Sequence, residues 1–357
     1  MLRITSDEIF ISFLIWFVSF LAYKSALKVP HRKNDRYDLF FILISLFSTF
    51  AFATGDYLHY YELYENLYKG ASRFSVEEFY YNLVFSLPHS YHLWRFVIWG
   101  ASSVFLILTF KRLKSPVRLS SLYFVLVLIS GFSNLRNTLG LEMMFYSLTF
   151  FLVPLKSKIK SYMIGTIGLL VCTYFHKSMP LYLLISLLAF IPLNKKIYKI
   201  LLLAFPFLYG MFRSISSFVL NLDLGGGAFE TVGSNYLEGE NFASSNLNGY
   251  LSLFINRLPI LFLIYYIVKN IISGHIHNSI AKYFIQYSFI LIYISFLLFE
   301  QPTSSFLSPR FWDASLYALV FALPLALYKN YTMYIKICFW MLLASNMYSF
   351  LYSFYKV

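Results

Sequence analysis

The chain has 357 residues, of which 59% are hydrophobic and only 13% are charged, and its mean hydropathy is +0.64. A soluble globular domain is about 45–50% apolar and about 25% charged, so this composition excludes a soluble enzyme. It also excludes intrinsic disorder, which requires low hydrophobicity and a high density of charge. We therefore expect an all-α, polytopic integral membrane protein in which residues 1–357 form a single transmembrane domain.

A membrane-spanning helix takes about 20 predominantly apolar residues. The apolar runs of the sequence predict about twelve such helices packed as a bundle. The first run is interpreted as an uncleaved span, because no small-residue cleavage site follows it. The runs lie near residues 9–26, 38–54, 94–110, 119–133, 139–155, 162–175, 179–193, 200–220, 250–268, 283–299, 314–328 and 334–355.

Lysine and arginine residues cluster in every second connector between these runs. The positive-inside rule makes those connectors cytoplasmic, so both termini are expected to face outward. The net charge of +13 is therefore assigned to orientation in the membrane, and no nucleic-acid partner is expected. Acidic residues concentrate in two long outer loops, 55–93 and 221–249, which we expect to stand over the bundle.

The two outer loops differ in composition. Loop 221–249 is rich in glycine, which permits unusual backbone angles and suits a mobile cover. Loop 55–93 carries tyrosines three or four residues apart, a spacing that predicts a short amphipathic helix in the outer interface. These tyrosines are Tyr57, Tyr60, Tyr61, Tyr64 and Tyr68.

The basic residues outside the cytoplasmic connectors are the candidates for function. An arginine in the hydrocarbon zone costs about 2.5–3.5 kcal/mol on insertion scales, so it usually faces protein, water or an anion. Arg136 and Asn137 lie in a short outer turn before a span, where Thr138 is expected to cap the next helix. A guanidinium beside a helix N-terminus forms an anion site with the free backbone amides. The alternative is an interfacial arginine paired with Glu142 or with a lipid headgroup.

A second short outer turn contains His176 and Lys177. A histidine on the outer face can shuttle protons near neutral pH, and the adjacent cation favours a binding role. Asp56 and His59 lie where the second span exits, and a carboxylate at this place could accept a proton from a hydroxyl group. The alternatives are a satisfied polar contact for His176 and a solvated helix-end acid for Asp56.

Arg310 leads into a late span. Aromatic neighbours such as Trp312 could stack on its guanidinium group, which would hold that group ready for an anion. The alternative is an ion pair with Asp313 or Glu300.

Three further arginines, Arg95, Arg213 and Arg257, lie at or inside the ends of spans. Each by itself is explained by snorkelling to the interface. Together with the others they are expected to place many cations around one outer cavity, which exceeds what anchoring requires. Pro259 follows Arg257 in the same run and predicts a break or a kink there.

Four segments, in chain order, resemble the EpsG-like group of Wzy-type polysaccharide polymerases of bacterial envelopes. In that group an arginine, usually followed by Gln and small residues, precedes a span. A Phe-His-x-Ser motif follows, and an arginine beside an aromatic residue comes late in the chain. Here Asn137 replaces the Gln, and Gly140 stands where Ala is common. The matching segments are Gly55-Asp56 with the tyrosines that follow, Leu135-Arg136-Asn137, Phe175-His176-Lys177-Ser178 and Pro309-Arg310-Phe311.

The resemblance implies a polymerase at the periplasmic face of the bacterial cytoplasmic (inner) membrane. Such an enzyme transfers a growing undecaprenyl-diphosphate-linked glycan onto a new lipid-linked repeat unit. Membrane lipids surround it, and a chain-length-regulating membrane protein is a further candidate partner. The implied architecture resembles that of the C-type glycosyltransferases, as a distant analogy of fold.

On this hypothesis, fixed guanidinium groups stabilise the diphosphate leaving group. No DxD-like carboxylate pair is present, so neither a metal nor another cofactor is expected. The expected catalytic residues are Asp56, His176, Arg136 and Arg310. The expected substrate-binding residues are Arg95, Asn137, Lys177, Arg213, Arg257, His59, Tyr57, Tyr60 and Trp312.

Competing functions are a flippase or transporter of lipid-linked oligosaccharides, an O-acyltransferase and an O-antigen ligase. A transporter typically contains internal repeats and paired broken helices, and the sequence shows no internal repeat. An acyltransferase would load from the cytoplasm, and no histidine-rich site is evident on that side. A ligase stays open as an alternative, because it uses the same donor.

Overall fold

The computed structural model describes residues 17, 55–69, 87–114, 135–175, 178–192, 194–221, 247–299 and 307–327, with seven further positions between 333 and 344. All regular secondary structure in these residues is α-helical, which confirms the predicted all-α class for this part of the chain. Three helices within it are long and apolar enough to cross a membrane: Tyr91–Leu113, Lys195–Ser214 and Ser279–Leu297. The total of about twelve spans stays a prediction.

Nine helices have described bounds. They are α1 (Gly55–Tyr68), α2 (Tyr91–Leu113), α3 (Leu135–Leu152), α4 (Lys158–Cys172), α5 (Met179–Leu188), α6 (Lys195–Asn221), α7 (Leu247–Ile272), α8 (Ser279–Leu297) and α9 (Leu307–Leu327). Helix α1 confirms the short helix predicted in loop 55–93. Each of the others overlaps one predicted apolar run.

The ends of these helices depend on capping more than on hydropathy. Ser90 Oγ accepts a hydrogen bond from the Leu93 amide and starts α2, three residues before the apolar run that begins at 94. Asn278 Oδ1 accepts from two amides and starts α8 in the same way. Such polar caps satisfy amides that the first helical turn leaves without an acceptor. Helix ends therefore include polar residues that the hydropathy pattern omits.

The described residues fall into two compact units. The first lies within Met1–Ser186, Leu323–Lys329 and Leu343–Val357. The second lies within Leu187–Ala322 and Asn330–Leu342. The single transmembrane domain over 1–357 stays a prediction.

In the first unit, α3 packs against both α2 and α4. Glycines allow the close approach of α4. A Cβ atom at Gly165 would lie 2.5 Å from the Phe151 ring, and one at Gly168 would overlap Ser147 Oγ. Small residues permit this kind of tight helix contact in membrane proteins, where packing rather than water drives association.

In the second unit, α8 contacts both α6 and α7. The Tyr293 hydroxyl on α8 donates a hydrogen bond to the Leu201 carbonyl at 2.7 Å. Helix α6 presents apolar side chains outward, with Leu203 81% and Phe207 73% exposed. A hydrophobic surface of this kind is suited to contact with lipid.

Of the break or kink predicted at Pro259, the break is wrong, and the kink stays a prediction. Helix α7 runs without interruption from Leu247 to Ile272 and contains Pro259 in its interior. A proline in a membrane helix is tolerated when neighbouring groups satisfy the freed backbone carbonyl.

Candidate functional site

Helices α2 and α3 run parallel to each other. Ser102 Oγ donates a hydrogen bond to the Glu142 carboxylate, at a sequence separation of 40. Further along both helices, the Arg112 guanidinium donates to Thr149 Oγ1 and to the Val153 carbonyl, at separations of 37 and 41. Because the separation stays near 40 from one contact to the next, equal steps along α2 correspond to equal steps along α3.

This register places two of the predicted arginines at the same level. At a sequence separation of 40 or 41, the residue of α3 that is level with Arg95 is Leu135 or Arg136, in the first turn of α3. Arg95 is only 2% exposed, and its guanidinium carbon lies 5.8 Å from the centroid of the Tyr91 ring. The backbones of Arg95 and Arg136 thus share a level at the N-terminal ends of α2 and α3. The Arg136 side chain lies outside the described part.

The second predicted outer turn also contacts the first turn of α3, through Ser178. Ser178 Oγ donates a hydrogen bond to Asn137 Oδ1 at 3.4 Å. The next residue, Met179, packs over Gly140, where a Cβ atom would lie 2.9 Å from the Met179 sulfur. His176 and Lys177 lie outside the described residues. Their neighbour Ser178 nevertheless ties this turn to the first turn of α3.

The predicted capping role of Thr138 is wrong. Helix α3 begins at Leu135, so Arg136, Asn137 and Thr138 already belong to its first turn. Thr138 is fully buried and Asn137 is 4% exposed. Sequence reasoning misplaced the start because the apolar run begins only at residue 139.

Glu142 is a polar residue whose importance the sequence analysis missed. Its carboxylate accepts the Ser102 hydrogen bond, and the residue is completely buried between α2 and α3. An ionisable side chain inside an apolar run is itself a signal, because it is costly in the membrane and usually serves a purpose. The sequence pattern indicates for Glu142 only an alternative role as ion-pair partner of Arg136.

Four further predicted residues lie on α1, Asp56, Tyr57, His59 and Tyr60, and their side chains are outside the described part. Later residues of α1 pack against the start of α2. The Tyr64 ring is 1% exposed and lies 5.8 Å from the Trp94 ring. Burial raises the pKa of the Tyr64 phenol, so its hydroxyl stays protonated at neutral pH.

In the second unit, aromatic rings surround the guanidinium of Arg257. Its central carbon lies 4.8 Å from the Trp312 ring centroid, 5.7 Å from that of Phe299 and 5.8 Å from that of Phe296. Cation–π contacts of this kind stabilise a desolvated charge. Arg257 is 8% exposed, so the protein holds this cation among aromatic rings near the start of α9.

The stacking of Trp312 on Arg310 or on a sugar stays a prediction, and its described ring contacts include the Arg257 guanidinium and the Phe296 ring. Arg310 itself is half-buried in the first turn of α9. That turn is anchored by Ser295 Oγ, which donates to the Ser308 carbonyl at 2.7 Å. Arg213 is exposed on α6 in the same unit.

The two groups of arginines belong to different units, and their convergence on one cavity stays a prediction. Most of loop 221–249 lies outside the described residues. Within the described ranges, no three His, Cys, Asp or Glu side chains gather as a metal site would require. Metal independence and the absence of a cofactor stay predictions.

The family model described as the EpsG family matches residues 37–356, nearly the whole chain. No curated protein and no solved structure matches. The family match covers all the helices from α1 to α9, including both arginine-bearing groups. The apolar helices and this match indicate a membrane protein with a glycan polymerase-like role in polysaccharide biosynthesis. The chain therefore belongs to the EpsG family, whose members are Wzy-type polymerase-like proteins.

Proposed function

We propose that this protein is a polysaccharide polymerase of the bacterial inner membrane. It transfers a growing undecaprenyl-diphosphate-linked glycan onto a new lipid-linked repeat unit at the periplasmic face. The observation that carries the proposal is the shared level of Arg95 and Arg136, together with the Asn137–Ser178 contact beside it. Two guanidinium-bearing positions and a polar turn meet there at the start of α3.

The reaction breaks the bond between the anomeric carbon and the diphosphate oxygen, and the electron pair leaves with the diphosphate. The acceptor hydroxyl oxygen forms the new bond to that carbon, and its proton passes to a base. Arginines at the N-terminus of α3 suit the leaving group, because the helix end adds a partial positive charge and free amides. Preorganised cations in a site shielded from water stabilise developing charge strongly.

We assign the base role to Asp56 or His176, which lie in segments close to this place in sequence or contact. Asp56 is the second residue of α1, which packs on the start of α2 through Tyr64. His176 precedes the Ser178 contact by two residues. A carboxylate and a neutral imidazole can each accept a proton as a general base.

In the second unit, we assign Arg310 to diphosphate binding, with Arg257 and Arg213 as supporting cations. In the first unit, we assign the supporting role to Lys177. Arg310 is half-buried and lies in the first turn of α9, the same placement that Arg136 has on α3. An arginine in the first turn of a helix suits a phosphate group, because the guanidinium fork and the free backbone amides both donate to its oxygens. Metal ions are not required on this mechanism, since the guanidinium groups supply the positive charge.

Reconstitution in proteoliposomes with a lipid-linked repeat unit tests the proposal. We expect a ladder of products that differ by one repeat unit. Replacing Arg136 or Arg95 by alanine should slow ladder growth by about 10²–10³-fold, the usual effect of removing one charge-stabilising group. Lys160→Ala, which removes an exposed cation on α4, is the matched control and should leave the ladder unchanged.

Other outcomes of this experiment identify the competing functions. A single transfer to a lipid A acceptor, without a ladder, would indicate a ligase. Movement of the lipid-linked repeat unit across the bilayer, without any new glycosidic bond, would indicate a flippase. Either result would overturn the polymerase assignment.

A further inference from the structure

Aromatic rings join α1 to the segment that begins α2. Tyr64 lies at the centre, with ring centroids of neighbouring side chains between 5.5 and 5.8 Å away. Tyr61 adds an edge contact to Tyr91 at 5.3 Å. The cluster comprises Tyr61, Tyr64, Tyr68, His89, Tyr91 and Trp94.

One end of this cluster is open to solvent. The rings of Tyr68 and His89 stack nearly parallel, with centroids 3.7 Å apart and an interplanar angle of 11°. Tyr68 is 46% exposed, and the His89 side chain is 41% exposed. Tyr61, seven residues before Tyr68 and so on the same side of α1, is 37% exposed. These rings form an aromatic surface at the outer side of the helix contact.

A carboxylate lies at the centre of this surface. Glu65 Oε1 lies 3.1 Å from His89 Nε2, and Glu65 Oε2 lies 3.7 Å from the Lys69 ammonium group. The Glu65 side chain is 21% exposed, and each carboxylate oxygen has more than one lone pair with which to accept hydrogen bonds. We call Tyr61, Glu65, Tyr68 and His89 the aromatic platform.

The platform combines ring faces with hydrogen-bonding groups, which matches the two kinds of surface on a pyranose. The axial and ring C–H bonds of a sugar form an apolar face that packs on aromatic rings, and its hydroxyl groups donate to carboxylates. An anionic ligand fits less well. Glu65 and the exposed Glu62 both lie on this part of α1, and Lys69 is already paired with Glu65. Charge therefore disfavours an anionic lipid headgroup and a diphosphate here.

The platform also lies close to the proposed reaction site. Tyr64 links the exposed end of the platform to Trp94. Trp94 is 1% exposed and directly precedes Arg95 in α2. A diphosphate at the arginines would thus leave its attached sugars near the aromatic surface. This arrangement separates the two halves of an amphiphilic substrate by chemistry, with guanidinium groups for phosphate and aromatic rings for sugar.

We propose that the aromatic platform is a binding site for neutral pyranose residues of the glycan. The proposal rests on the polymerase function for its substrate, but it concerns sugar binding alone. Tyr68 supplies the stacking face and Glu65 accepts hydrogen bonds from sugar hydroxyls. His89 fixes the positions of both, because it stacks on the first and hydrogen-bonds to the second.

Binding of the lipid-free repeat-unit oligosaccharide to the full-length protein in nanodiscs tests this inference, with saturation-transfer NMR as the readout. Tyr68→Ala should weaken binding about fivefold to tenfold, the equivalent of losing one aromatic contact. Tyr68→Phe should bind like the wild type, because it keeps the ring. Glu65→Gln should weaken binding by a similar factor, and Tyr174→Ala, which alters an exposed tyrosine outside the platform, should not.

The outcomes separate this inference from the polymerase proposal. Arg136→Ala should slow ladder growth by about 10²–10³-fold and leave oligosaccharide binding unchanged. Binding that persists without any ladder in the wild type would overturn the polymerase and keep the platform. Wild-type binding in both Tyr68→Ala and Glu65→Gln would overturn the platform even where the ladder forms. Competition by phosphatidylglycerol in the nanodisc, lost in Tyr68→Ala, would identify a lipid site instead and would also overturn it.

Discussion

Ser178 Oγ donates a hydrogen bond to Asn137 Oδ1 at 3.4 Å and so joins two turns that are 41 residues apart in sequence. Each residue directly follows a predicted cation, Lys177 in one case and Arg136 in the other. The contact explains how a site can be assembled from two short segments. It also shows that the Asn found in place of the Gln common in this family has a structural partner.

The Asn137–Ser178 contact predicts energetic coupling between the two turns. A net hydrogen bond contributes about 0.5–1.5 kcal/mol, so Asn137→Ala and Ser178→Ala should each slow ladder growth roughly 2–12-fold. Because they remove the same bond, the double variant should be no slower than the worse single one. Rates of ladder growth in proteoliposomes, measured for the wild type, the two single variants and the double variant, complete this double-mutant cycle. Fully multiplicative effects would show that the contact carries no coupling.

The buried Glu142–Ser102 pair predicts a specific pattern of stability. Glu142→Ala leaves the Ser102 hydroxyl without this acceptor and creates a cavity, which should destabilise the protein by about 1–3 kcal/mol. Glu142→Gln keeps an acceptor of nearly the same shape and should unfold close to the wild-type temperature. Thermal unfolding in detergent measures both. A Glu142→Ala variant as stable as the wild type would contradict the role of this pair.

The close packing of α3 and α4 predicts an asymmetric response to added methyl groups. Gly168→Ala forces a Cβ atom into Ser147 Oγ and should destabilise the protein by about 1–3 kcal/mol. Gly210→Ala on α6 meets no atom within 4 Å and should be neutral or stabilising by up to about 1 kcal/mol, owing to helix propensity. The unfolding temperature should therefore fall in Gly168→Ala and stay unchanged or rise in Gly210→Ala. Equal destabilisation by both changes would refute this packing argument.

The ring contacts of Arg257 predict that Trp312 stabilises a buried charge. Trp312→Leu removes the nearest ring, at 4.8 Å, and should cost about 1–2 kcal/mol of unfolding free energy. Trp312→Phe should cost less, because it keeps a smaller ring. Trp340→Leu is the matched control, since Trp340 is 50% exposed. If Trp312→Leu and Trp340→Leu lowered the unfolding free energy equally, the contact with Arg257 would contribute no particular stabilisation.

The proposed guanidinium mechanism predicts resistance to chelation. Polymerase activity should be unchanged after treatment with EDTA and dialysis, because arginines and helix amides stabilise the diphosphate. Adding Mg²⁺ or Mn²⁺ back should not raise the rate. Loss of the ladder on chelation, with recovery on adding one of these ions, would show that the mechanism requires a metal.

Much of the architecture follows from local patterns. The run 94–110 predicted α2, and the tyrosine spacing in loop 55–93 predicted α1, because helical periodicity and apolar length are properties of short segments. Prediction failed where residue type alone does not fix position. Thr138 has the chemistry of a cap, yet α3 starts earlier at Leu135, and the break expected at Pro259 is absent from α7.

Composition and apolar periodicity by themselves determined that this chain is a helical membrane protein and which cations exceed the needs of orientation. Only the tertiary structure decided which groups lie beside one another. Arg95 is level with the first turn of α3, Arg257 lies among aromatic rings, and Tyr68 stacks on His89. Helix periodicity is set by a few neighbouring residues. The register between two helices instead depends on contacts between groups 37 to 41 residues apart, such as those of the Arg112 side chain, and no short window of sequence contains both partners.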